Sequence, residues 1–113
     1  MKKDDLVFME HIIESITLIE DYMTGKSEED FRNDTKLQDA VMRRFEIMGE
    51  ATKNLSEKFT QEHSAVQWKD ITGMRDKVSH YYLGIDLNTV LETIKKDLPD
   101  LKKKLSKIKE ENS

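Results

Sequence analysis

Residues 86–108 read DLNTVLETIKKDLPDLKKKLSKI, and their apolar spacing decides the fold. Leu87, Leu91, Ile94, Leu98, Leu101, Leu105 and Ile108 are separated by gaps that alternate four and three. That alternation is a heptad seam, the pattern of a helix laid against other helices. Asp86 or Asn88 is the expected start. Pro99 falls inside the pattern; it removes one backbone hydrogen bond, which predicts a kink or a restart there.

Working back along the chain, the same helical period recurs. Met9, Ile12, Ile13, Ile16, Ile19 and Met23 mark a helix over about residues 4–24, and Gly25 supplies its stop. Ser27-Glu-Glu-Asp30 reads as a short turn or a single helical turn. A second long helix is predicted to begin near Asn33–Thr35, with Thr35 and Gln38 as a capping box. Leu37, Val41, Phe45, Met48, Thr52, Leu55 and Phe59 then follow one face for about six turns. The third helix runs from Trp68 to about Tyr82. Only four glycines and one proline interrupt the chain, and no strand-like alternation stands out. Four amphipathic helices with short connections predict an all-α, antiparallel four-helix bundle. One domain is expected over residues 1–113, with the bundle over about 4–109.

Composition narrows the function. The 113 residues carry a net charge of −4, and charged residues make up 37% of them. Residues 1–60 hold 9 basic and 14 acidic side chains, whereas residues 61–113 hold 10 and 9. A protein that coats nucleic acid without selectivity would carry a clear basic excess, and this chain does not. With no cysteine there is neither a disulfide framework nor a thiolate metal site. No apolar run reaches membrane-spanning length, and MKKDD at residues 1–5 leads into an amphipathic pattern rather than a signal peptide. A soluble cytoplasmic protein is the expectation.

The chemistry-bearing stretch is MRDKVSHYYLG, residues 74–84. On a wheel of about 100° per residue, Ile71, Met74, Val78, Tyr81 and Tyr82 share the core-facing arc. Arg75 lies at the edge of that arc beside Tyr82, while His80 lies about 140° from Arg75, on the side away from the core. His80 would be idle in water unless a second copy packed against that outer face around a two-fold axis. Two histidines and two arginines would then line one cleft. The chemistry suited to such a set is RNA cleavage by the RNA's own 2′-hydroxyl. An imidazole can take and return a proton near neutral pH. A guanidinium can hold phosphate oxygens and stabilise the charge that builds in the transition state. No metal is required, and His11, His63 and His80 form no metal-binding spacing. By spacing alone, a histidine and an arginine five apart on a helix serve structure more often than catalysis.

Arg75-Asp-Lys-Val-Ser-His80-Tyr-Tyr82 carries the hallmark arginine, four residues, histidine, one residue, tyrosine. Around it stand Thr35-Lys-Leu-Gln-Asp-Ala-Val41, Phe45-Glu-Ile-Met-Gly-Glu-Ala51, Trp68-Lys-Asp-Ile-Thr-Gly-Met-Arg75 and Asp97-Leu-Pro-Asp-Leu101. In these blocks and their order, from about Leu6 to Leu105, the chain resembles the HepT-like toxins of the HEPN superfamily. The resemblance implies a HEPN-like homodimer of helical bundles with both motif copies meeting in an interface cleft. It implies a metal-independent endoribonuclease toxin of a toxin–antitoxin pair, with Arg75 and His80 as catalytic residues. It also implies an MNT-type nucleotidyltransferase antitoxin as partner, which silences the toxin by transferring AMP from ATP to the motif tyrosine. That tyrosine maps onto Tyr82, which would also shape the site; Tyr81 beside it stays the alternative acceptor. No cofactor is implied for this chain, because ATP would be used by the partner.

Other candidates carry a plainer reading. Glu46 and Glu50 would be a solvated face near Arg43 and Lys53. The lysines at 95, 96, 102, 103, 104, 107 and 109 would steer RNA or grip an acidic partner, or simply solvate the last helix. Trp68 is expected in the core rather than stacked on a base. The rival to the enzyme is a non-catalytic helical module that binds and assembles with the nucleotidyltransferase.

Overall fold

A computed structural model describes residues 3–74 and 86–112. The described elements are helices, with no strand among them. The first, α1 (Lys3–Met23), buries Met9, Ile12, Ser15, Ile16 and Ile19, one face of a 3.6-residue period. It stops where Gly25 takes φ +75°, a left-handed conformation that side chains with a Cβ resist. A short α2 (Glu28–Asn33) follows, and here the capping box is real. Ser27 Oγ accepts from the Asp30 amide at 3.0 Å, and the Asp30 carboxylate accepts from the Ser27 amide at 2.9 Å.

The long α3 (Thr35–Lys53) is capped by Asp34, whose carboxylate accepts from the Leu37 amide at 3.0 Å, rather than by Thr35. Gln38 turns the other way. Its side-chain amide donates to the carbonyls of Phe31 and Arg32 at 2.8 and 3.0 Å, closing the free end of α2. The predicted six-turn helix also divides: α3 ends at Asn54, and α4 (Glu57–Glu62) restarts under a Ser56 cap. Leu55 and Phe59 remain buried because the break preserves their side of the chain. The carboxylate of Asp5, buried in the first turn of α1, accepts from both the amide and the hydroxyl of Ser56 at 2.7 Å. Ser56 Oγ in turn accepts from the Phe59 amide at 3.2 Å. The cap of α4 is thus held by a residue from the start of the chain.

Trp68 opens α5 (Trp68–Thr72), and its indole N–H donates to the carbonyls of Thr60 and His63 at 3.1 and 3.0 Å. Its ring lies 5.7 Å from that of Phe59, so the residue locks α4 to α5 and packs on the core as expected. The predicted third helix is described as far as Met74; its continuation to Tyr82 lies outside the described residues.

The heptad stretch forms one rod in three parts: α6 (Leu87–Glu92), a π-helical turn (Thr93–Asp97) and α7 (Leu98–Glu111). Asp86 caps it, accepting from the amides of Asn88 and Thr89 at 2.9 and 3.2 Å. The restart expected at Pro99 takes the form of a π turn, after which α-helix resumes at Leu98 with Pro99 in its first turn. The Leu98 amide donates to the Thr93 carbonyl five residues back, and helical dihedrals hold at Thr93 and Leu98. An α-turn at this point would press the Pro99 ring onto the Lys95 carbonyl, and the wider turn relieves that crowding. The extra residue shifts the buried face of α6 by one position. Val90 and Thr93 are buried beside Leu91, while Leu98, Leu105 and Ile108 keep the heptad seam downstream.

One buried cluster joins these elements, with α1 against α3 as the most extensive pairing, α5 against α3, and α7 against α1. No helix among the described residues is long and apolar enough to cross a membrane.

Candidate functional site

Arg75, His80 and Tyr82, with Tyr81, lie outside the described residues. What the structure gives is the ground on either side of them. On the N-terminal side, Ile71 and Met74 are buried, so α5 delivers the chain to Arg75 from a fixed point in the core. On the C-terminal side, the Asp86 cap fixes the start of α6, and the Arg32 guanidinium donates to the Asn88 side chain, tying that start to α2. Met74 and Asp86, the described residues that flank the motif in sequence, are thus held by different parts of the fold.

A cleft of about 480 Å³ opens beside the N-terminal anchor. One wall is α5 and its exit, including Lys69, Asp70, Ile71, Gly73 and Met74; the other is the π turn and the head of α7, including Lys96, Asp97, Leu98, Asp100, Leu101 and Lys104. Its floor is apolar. Its rim carries three lysines and three aspartates. Lys104 Nζ lies 3.1 Å from the Asp100 carboxylate and donates to the carbonyl of Ala65, in the segment that leads into α5, at 3.4 Å. Lys96 pairs along its own rod with Glu92 at 2.7 Å. The hydrogen bond from Lys96 holds the Glu92 carboxyl below its ordinary pKa, and the same bond holds the Lys96 ammonium above its own.

The other charged candidates are exposed or half-buried. Glu46 is half-buried and Glu50 exposed on α3. Of the last helix's lysines, Lys102 pairs with Glu20 at 2.7 Å and Lys109 with Glu10 at 3.5 Å, both across to α1. Lys95, Lys103 and Lys107 are exposed. Among the described residues no group of three or more His, Asp or Glu side chains is placed to hold a metal ion. Sequence reasoning missed the cleft. Its two walls meet only through the tertiary fold, and the one local signal was Pro99 inside a helical pattern.

Residues 12–108 match the family model described as "Ribonuclease HepT-like". Over 111 residues the chain is 47% identical to a Methanocaldococcus jannaschii protein named "gamma-glutamylcyclotransferase and putative RNase"; that alignment takes in 98% of this chain and 50% of that protein. A Caldanaerobacter subterraneus subsp. tengcongensis protein named "putative RNase" is 43% identical over 101 residues, covering 89% of this chain and 90% of its own. The "probable ribonuclease HepT" of Thermococcus cleftensis is 40% identical over 109 residues, covering 96% and 99%. The chain thus spans half of the first relative and nearly all of the other two. No solved structure gives a significant match.

Proposed function

The chain belongs to the ribonuclease HepT-like family of the HEPN superfamily, and from that premise we propose that it is a metal-independent endoribonuclease, the toxin of a cytoplasmic toxin–antitoxin pair. The observation that carries the reading is the family match over residues 12–108, which contains the unbroken series Arg75, His80, Tyr82. The relatives' names, each of which includes "putative RNase" or "probable ribonuclease", support the reaction class.

In the proposed mechanism two protomers bring their motifs to one cleft. One His80 takes the proton of a ribose 2′-hydroxyl, whose oxygen attacks the adjacent phosphorus. The bond from phosphorus to the 5′-oxygen of the next nucleotide breaks, and a protonated imidazole returns a proton to that leaving oxygen. The products are a 2′,3′-cyclic phosphate and a 5′-hydroxyl. Arg75 donates to the phosphate oxygens and lowers the energy of the crowded, highly charged transition state. Tyr82 shapes the site beside Arg75. An MNT-type nucleotidyltransferase partner uses ATP to place AMP on Tyr82; the added phosphate and base would exclude RNA by charge and volume. No cofactor is assigned to this chain itself.

Incubation of unmodified protein with mixed tRNA and mRNA in EDTA, beside its His80→Ala variant, tests the proposal. Cleavage by the parent alone, with cyclic-phosphate ends, is the expected outcome. No cleavage by either, with Tyr82 unmodified by mass and the oligomer intact, would transfer the function to partner binding.

A further inference from the structure

The cleft between α5 and the π turn has no role in the scheme above, although Met74 in its wall is joined directly to Arg75. At about 480 Å³ it falls within the range of small-ligand sites, roughly 300–1,000 Å³. Half-buried Leu101, with the buried Ile71, Met74 and Leu98 behind it, gives it an apolar floor. Its polar groups determine what a ligand must offer. Two of the three lysines are already engaged, Lys96 with Glu92 and Lys104 with Asp100 and the Ala65 carbonyl. The carboxylates of Asp70 and Asp97 accept no hydrogen bond among the described residues. The Lys96 ammonium feels the charge of Asp97 but donates its hydrogen bond to Glu92, so the Asp70 and Asp97 oxygens stay open to a neutral group with N–H donors.

We propose that this cleft receives the base of an RNA nucleotide next to the cleaved bond and selects bases that carry an amino group, guanine first. The inference rests on the ribonuclease reading for its place in the reaction, and on the cleft itself for its chemistry. Proteins that read RNA splay single bases out of the stack and bond their Watson–Crick edges. Guanine presents an N1–H and an adjacent exocyclic amine, two donors that match the two oxygens of one carboxylate. Cytosine and adenine present one amine beside a ring acceptor, and uracil presents a single ring N–H between two carbonyl oxygens that a carboxylate repels. The π turn, which sets Lys96 and Asp97 in the wall, is the kind of local widening that recurs at functional sites.

Two measurements on the full chain test the inference. In the first, ¹⁵N-labelled protein is titrated with GMP, AMP, CMP and UMP, none of which the chain can cleave. The amides of Lys69, Gly73, Lys96 and Leu101 are expected to shift with GMP, and UMP to bind at least tenfold more weakly. Asp97→Asn and Asp70→Asn, both on exposed residues, should erase that difference while leaving the far-UV spectrum unchanged. In the second, cut sites on random-sequence RNA are read by sequencing. The parent should favour an amino-bearing base at one position beside the cut. The two variants should flatten that preference about tenfold while cutting uracil-only oligomers within twofold of the parent. Equal shifts with all four nucleotides, no shifts at those amides, or a change of oligomeric state in the variants would overturn the base site; the last would mean that a second copy covers the cleft. Cleavage with no base preference would sink the inference and leave the ribonuclease standing. Guanine-selective binding without cleavage would do the reverse.

Discussion

Ser15 lies fully buried in α1, and its hydroxyl finds no hydrogen-bond partner among the described residues. A buried hydroxyl left unpaired costs about 1–3 kcal/mol. Ser15→Ala removes that cost and improves helix propensity, so it should stabilise the protein by about 1 kcal/mol. Thermal unfolding should register this as a rise of about 4 °C or more. Asp5 is the opposite case, buried and in full use. Asp5→Ala leaves the Ser56 amide without its acceptor and frees the cap of α4, at a cost of about 2–3 kcal/mol, readable as a lower urea midpoint with unchanged slope. The exposed caps give a dependence on pH instead. The amide of Ser27 lowers the pKa of Asp30, and the hydroxyl of Thr89 lowers that of Asp86. Both carboxylates are stronger acids folded than unfolded, so their contribution is complete above the ordinary aspartate value of 3.8 and fades as pH falls through the folded values. Asp86→Asn, which still caps but cannot titrate, should flatten its share of that loss when stability is followed from pH 6 to pH 2.

At the scale of elements, the rod from α6 to α7 sets packing against proline chemistry. Turning α6 back by one residue would bring Val90 out of the core, and full burial of such a side chain is worth about 1.5–3 kcal/mol. Replacing the proline alone does not supply a comparable gain. Pro99→Ala should therefore keep the π turn and change stability by no more than about 1 kcal/mol. Deleting Lys95 should force an α-turn, rotate α6 against the core and cost several kcal/mol, with partial loss of helical signal on mild heating. This element also shows how far the sequence could be read. The heptad spacing located the rod and its buried seam below Pro99, because apolar period alone sets those features. It could not register the one-residue shift above Pro99, since a π turn leaves the letters of the pattern unchanged. The break after α3 was more accessible. Asn54, which donates to the Glu50 carbonyl, and Ser56 are both cap residues, but the unbroken apolar face from Leu37 to Phe59 outweighed them. Thr35 and Gln38 misled for a related reason: the spacing fits a capping box, yet Asp34 one place earlier is the better cap and Gln38 closes a different helix.

For the whole molecule, the ribonuclease proposal makes quaternary structure a condition of activity. A chain of 13.3 kDa should sediment as a pair near 27 kDa, and specific RNA cleavage should fall upon dilution below the dissociation constant. A protein that stays monomeric at every concentration yet cuts RNA at full rate would remove the shared cleft. The series Arg75, His80, Tyr82 can be picked out of the sequence because its spacing is local, while its arrangement in space lies outside the described residues. The cleft of Asp70 and Asp97 cannot, because only the packing of the rod beside α5 brings them to one cavity. The rod's wide turn has a consequence for descent as well. Its two halves keep separate phases that are joined by one surplus residue, so a lineage can discard that residue only while redistributing the apolar positions of α6. Relatives should accordingly fall into two length classes at this point, one carrying the surplus residue with Val90-like burial, the other shorter by one and free to keep an uninterrupted seam.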